Sequence, residues 1–170
     1  MSEFAKKNII YSIIRLAPLI LLFLAVFNEF DLNYLDIFSL NFPFILIFYW
    51  SLRKSEILGY GFIFFAGLIN DVVTGFPIGI SSFNYLLICG FAAYLRTITL
   101  RPSMVKDWFF FLFTILVVNS LSYSVLNIFF SIDLYYKNLF FNIFFTFIFY
   151  IIFANLFLFY QNKFLRESNE

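Results

Sequence analysis

The chain has 170 residues, of which 63% are hydrophobic and 12% charged, against about 45–50% and about 25% in an ordinary soluble domain. A water-soluble fold is not expected, and a net charge of +1 leaves no footprint for nucleic acid or an acidic substrate. With no histidine and one cysteine, Cys89, a disulfide framework, a Cys/His zinc site and a histidine-activated nucleophile are all excluded within one chain.

Lys6 and Lys7 precede an apolar run that continues to Asn28, too long for the core of a signal peptide and followed by no small-residue cleavage site. An uncleaved first transmembrane helix is therefore expected over Ile9–Asn28. Arg15 within it has a stem long enough to snorkel to the headgroups, and Pro18 predicts a bend. The second segment, Leu35–Leu52, contains Asn41 and Pro43, so its start is expected to be irregular. The third covers Ile57–Thr74 and the fourth Ile78–Thr97. The fifth, Trp108–Ile132, is the longest, and the sixth runs from Leu139 to Gln161. Each is near the roughly 17–25 residues that cross hydrocarbon. Helices satisfy the backbone in lipid, and the alternation that a strand barrel requires is absent. The expected fold is an all-α six-helix transmembrane bundle, one domain over residues 1–170.

Cytoplasmic loops retain Lys and Arg. With the N-terminus inside, Lys6, Lys7, Arg15, Arg53, Lys54 and Arg96 fall on the inner side, as do Arg101, Lys106, Lys163 and Arg166. Only Lys137 falls outside, so both termini are expected in the cytoplasm of a multi-pass inner-membrane protein. Glu29, Asp31, Asp36, Asp71 and Asp133 lie on the outer side. Trp50 and Trp108 are placed at inner boundaries, and Tyr135 and Tyr136 at an outer one, where amphipathic rings favour the headgroup region.

The residues most in need of explanation are Gly67-Leu68-Ile69-Asn70-Asp71 and Gly75-Phe76-Pro77-Ile78-Gly79. A charge at the centre of a membrane helix costs roughly 2.5–3.5 kcal/mol on insertion scales, and less near an interface. Gly59, Gly67, Asp71 and Gly75 share one four-residue ridge, and small residues let a neighbouring helix approach. Two readings of Asp71 stand: internal packing, with its oxygens capping the turn into the next helix, or an additional role with Asn70 in ordering the loop Thr74–Ser82 for a partner. Pro77 and Gly79 fit a tight turn in which Gly75 takes a conformation that other residues resist.

Gly90, Ala93 and Thr97 repeat on one face of the fourth segment, beside Cys89 and Ala92, as internal packing or a partner face. Ser120, Ser124 and Asn127 form a polar stripe on the fifth segment, and Asn142, Thr146 and Tyr150 one on the sixth. These stripes either bond to each other and fix helix register or line a solute pocket. Arg53, Lys54, Arg96, Arg101 and Lys106 form a basic cluster suited to setting topology and touching anionic membrane lipid.

Pro43, Tyr49-Trp50, Gly67-Leu68, Asp71, Gly75 and Pro77-Ile78-Gly79, with the apolar run to Ala93-Tyr94-Leu95, resemble the rod shape-determining protein MreD family. The resemblance covers roughly Phe42–Leu95. An arginine often precedes the proline in that family; Asn41-Phe42 stand there in this chain, so no role of that arginine carries over. The resemblance implies a scaffold of the bacterial cell-elongation machinery with no catalysis and no cofactor of its own. Its partner would be an MreC-like coiled-coil protein, and through it MreB filaments and peptidoglycan synthases. Pro43, Trp50, Gly67, Asp71, Gly75, Pro77 and Gly79 would be its structural or partner-interface residues. The family is also similar to the substrate-binding components of energy-coupling-factor transporters, which makes solute binding or transport the alternative function. An intramembrane enzyme is disfavoured because neither histidine nor paired carboxylates supply acid–base chemistry.

Overall fold

Chains this rich in phenylalanine and isoleucine satisfy their backbones most simply as helices, because each helix closes its own hydrogen bonds. The computed structural model describes residues 3–27, 40–99, 103–131 and 136–164, and every element among them is helical. The elements are α1 (Glu3–Phe27), α2 (Phe42–Arg53), α3 (Ser55–Leu58), α4 (Tyr60–Thr74), α5 (Ile80–Ile98), α6 (Met104–Phe130) and α7 (Tyr136–Phe164). Two helices, Met104–Phe130 and Lys137–Phe164, are long and apolar enough to cross a membrane. Ile14–Phe27, Phe42–Arg53 and Tyr60–Thr74 are apolar but shorter. Although α5 has 19 residues, Ser81, Ser82 and Asn84 in its first turns dilute its apolar character.

Several expected boundaries change, and the first, fifth and sixth helices begin earlier than expected, at Glu3, Met104 and Tyr136. The second helix begins at Phe42 rather than Leu35: Leu40 and Asn41 are not helical, and residues 35–39 lie outside the described residues. Pro43 sits in its first turn, where a missing N–H costs nothing. The Asn41 side-chain oxygen accepts from Phe44 N at 3.3 Å and caps the helix. The third segment is not one helix; it breaks at Gly59, whose φ is 64°, so Gly59 leaves the ridge that Gly67 and Asp71 share. The sixth extends a turn further at its end, to Phe164. Asn28, Glu29, Asp31, Asp36, Asp133, Tyr135, Arg101 and Arg166 lie outside the described residues.

At the centre stands α2, buried from Phe42 to Leu52 and packed by α1, α3, α5 and α7. Its aromatic rings key the layers together. Phe48 lies 5.0 Å from Phe111 on α6 and 5.8 Å from Tyr150 on α7, and those two rings stack at 4.4 Å. Such pairs contribute about 0.5–1.5 kcal/mol beyond the area they bury.

The helices alternate in direction, which divides the molecule into two ends. At the first end, Arg53 meets Asp107, Arg96 donates to Ser55, Tyr49 donates to Gln161 and Tyr160 donates to the Ile14 carbonyl. At the second end lie the α4–α5 turn, the start of α2 and the later half of α6. The outer faces of α6 and α7 are apolar, with Phe109, Phe113, Ile128, Phe129, Phe140 and Phe159 exposed.

Candidate functional site

Thr74 ends α4, and the chain must reverse within five residues before Ile80 opens α5. Gly75 and Gly79 make this possible with φ of 70° and 105°, conformations in which a side chain is strained. Gly79 is the cap position of α5 but offers no side chain to its first N–H groups. Asp71 supplies the missing oxygens from the preceding helix. Its Oδ2 accepts from Gly79 N at 2.7 Å and its Oδ1 from Ser81 N at 2.9 Å, and the residue is 0% exposed. A carboxylate at a helix N-terminus also meets the positive end of the helix dipole.

The same hairpin explains Gly67. A Cβ there would lie 2.4 Å from Ser82 Cα, so the backbones of α4 and α5 touch at this point. The contact is internal: Gly67 is buried and faces α5, not an outside partner. Ser82 Oγ donates to the Phe64 carbonyl and Asn70 Nδ2 to Ser81 Oγ, both at 2.9 Å. Outside this framework, Val72 and Ile78 are 70% and 76% exposed, with Phe76 between them.

Beside the hairpin is a cavity of about 280 Å³. Asn41, Asn70, Asn84, Asn119 and Asn142 line it, from α2's cap, α4, α5, α6 and α7. Ser81, Ser122, Tyr85 and Tyr123 add hydroxyls, and among the described residues that line it none is charged. Ser122 donates to Asn84 Oδ1.

The remaining candidates are placed less simply. Pro43 is buried in α2, and Pro77 is half-buried in the turn. Trp50 is 1% exposed and packed against Phe157 and Tyr160, so its ring meets protein on all sides. Trp108 also turns inward, stacking on Phe147 at 4.5 Å and donating to its carbonyl. On α5 the internal face is Tyr85, Ile88, Cys89 and Ala92, while Gly90 and Thr97 are exposed.

The two polar stripes neither face each other nor act as units. Ser120, Ser124 and Asn127 are exposed, and Ser124 donates back to the Ser120 carbonyl. Thr146 accepts from Asn41 N at 3.0 Å, and Tyr150 stacks in the core. Only Asn142 of the six reaches the cavity. The polar residues of α6 that do reach it are Asn119, Ser122 and Tyr123.

Sequence reasoning missed Asp107. It is buried in the first turn of α6 and meets Arg53 Nη2 at 2.6 Å, tying α2 to α6. An acidic residue among inner-side cations was the available signal. Arg15, by contrast, stands exposed with Glu56 at 3.8 Å, a pair of the kind worth about 0–1 kcal/mol. Among the described residues no group of three or more potential metal ligands gathers.

No family model matches the chain, and neither curated proteins nor solved structures yield a match.

Proposed function

We propose that the chain is a multi-pass protein of the bacterial inner membrane, a six-segment bundle with both termini cytoplasmic. In this reading it acts as a non-enzymatic, MreD-like scaffold of cell elongation. It binds an MreC-like coiled-coil protein and through it connects MreB filaments to peptidoglycan synthases. The membrane part of the reading is supported by the apolar outer faces of α6 and α7, and by the gathering of Arg15, Arg53, Lys54, Arg96, Lys106 and Lys163 toward one end. An apolar groove between α5 and α6, lined by Ile98, Phe109, Phe113 and Lys106, suits a lipid chain with an anionic headgroup.

The observation that carries the scaffold reading is the α4–α5 turn. Asp71 fixes it from within, and Val72 and Ile78 stand outside as an apolar knob. A rigid knob loses little conformational freedom on docking. The test is co-purification with the coiled-coil partner. Ile78→Asn is expected to lose the partner while accumulating in the membrane as wild type does, and Ser124→Ala to retain it. Retention by Ile78→Asn would remove the turn from the interface. Reporter fusions after Asp36, Lys54, Gly79, Met104, Asp133 and the C-terminus are expected to alternate out and in, ending inside.

The second reading, solute binding, is favoured by one observation: the asparagine-lined cavity at the same end of the bundle.

A further inference from the structure

A cavity lined by five asparagines is unusual within a bundle so apolar, because each buried amide costs free energy unless its donors and acceptors are met. Part of the set is met internally. Asn41 caps α2 through its side-chain oxygen, Asn70 donates to Ser81, and Asn119 donates to the Ile115 carbonyl. Asn84 is only 9% exposed and accepts from Ser122, yet its amide nitrogen donates to no described residue. Asn70, on the facing helix, accepts through its side-chain oxygen from none of them. Neither atom is among the buried side-chain groups left without a partner, so both remain accessible, a donor on α5 and an acceptor on α4.

We infer that this cavity is a binding site for a small, uncharged molecule bearing hydroxyl or carboxamide groups. The inference rests on the solute-binding reading and narrows it to a ligand class. Among the described residues no charged side chain lines the cavity. Among the described residues the carboxylate beside the cavity is Asp71, which holds Gly79 N and Ser81 N with its two oxygens and is fully buried. Arg53, Arg96 and Lys106 belong to the opposite end of the bundle, and Lys137, in the first turn of α7, is exposed and does not line the cavity. A charged ligand would find no counter-charge among the described lining residues, which is unfavourable wherever its charge leaves water. Amide side chains, which donate and accept, match a ligand that does both. Tyr85 and Tyr123 add flat apolar surface to the same wall, suited to the face of a sugar or an aromatic amide.

Volume sets the size. At about 30 Å³ per water, 280 Å³ equals about nine waters, which limits the ligand to roughly ten non-hydrogen atoms, the scale of a monosaccharide or nicotinamide.

The test uses the purified full chain in detergent, with binding read by native mass spectrometry and by the shift in unfolding temperature. Glucose is compared with glucuronate and protonated glucosamine, and nicotinamide with nicotinate, each at up to about 1 mM, the weak end of the affinity scale. At least one neutral probe is expected to bind, at least about tenfold more tightly than its charged counterparts. Asn84→Leu and Ser122→Ala are expected to lose that binding, and Ser124→Ala, outside the cavity, to keep it. Should Asn84→Leu fail to accumulate, Asn119→Leu takes its place from α6. Tighter binding of a charged probe would overturn the ligand class while leaving solute binding intact. Binding by none of the probes, or binding unchanged in every cavity variant, would overturn both.

Discussion

Between α4 and α5 the backbones approach until a methyl group at Gly67 would strike Ser82, whereas α6 and α7 meet through Trp108 lying flat on Phe147 at 4.5 Å. The first pair is closed by small residues and by side-chain hydrogen bonds to backbone at Gly79, Ser81 and Phe64. The second is broad and aromatic, and most of its apolar surface faces outward. In the proposed membrane setting, side chains would gain little by leaving lipid for a neighbouring helix, so close packing and hydrogen bonds would decide association. The hairpin therefore holds the specific geometry, and the long pair tolerates change.

The comparison predicts an order of sensitivities, each read as the unfolding midpoint of purified protein in detergent. Asp71→Leu is expected to be the most damaging, because it leaves two buried N–H groups without an acceptor at about 1–3 kcal/mol each. Gly67→Ala follows at about 3 kcal/mol, the upper end of overpacking costs, since the new methyl group meets backbone rather than a movable side chain. A near-neutral result at Gly67 would mean that α4 and α5 do not touch there. Asp71→Asn is expected to cost about 1–3 kcal/mol, because both carboxylate oxygens are in use and the amide keeps one acceptor. Equal stability of the Asn and Leu variants would show that only one of the two bonds matters. Ser124→Ala, on the exposed face of α6, is expected to stay within about 0.5 kcal/mol. A loss there comparable to that of Asp71→Asn would erase the distinction between the two regions.

The hairpin was the more legible region for the same reason that it is the more sensitive. A carboxylate and glycines inside an apolar run violate the local pattern, and each violation marked a backbone requirement. Along α6 and α7 the spacing of polar residues told which of them share a face but not which face turns inward. A shift of two positions turns a helix face by about 200°. That shift separates the exposed Ser120 and Ser124 from Ser122, which bonds to Asn84. The inward packing of Trp50 and Trp108 was not legible because an amphipathic ring near a helix end suits a headgroup layer and a protein interior equally well. The Arg53–Asp107 pair joins residues 54 apart, and composition holds no record of such a distance. The break at Gly59 interrupts an apolar run without changing its hydropathy, so only backbone conformation reveals it.

Asp71 has a consequence for how the molecule is assembled. The groups that satisfy its carboxylate belong to the beginning of α5, the next helix to be made. In the proposed membrane orientation, α4 alone would carry an uncompensated charge at the edge of hydrocarbon, where insertion is penalised. Once Gly79 and Ser81 arrive, the penalty is offset and Gly67 finds the backbone it was shaped to meet. In that orientation the two helices would form a single unit of insertion, made before the long aromatic pair that follows them in the chain.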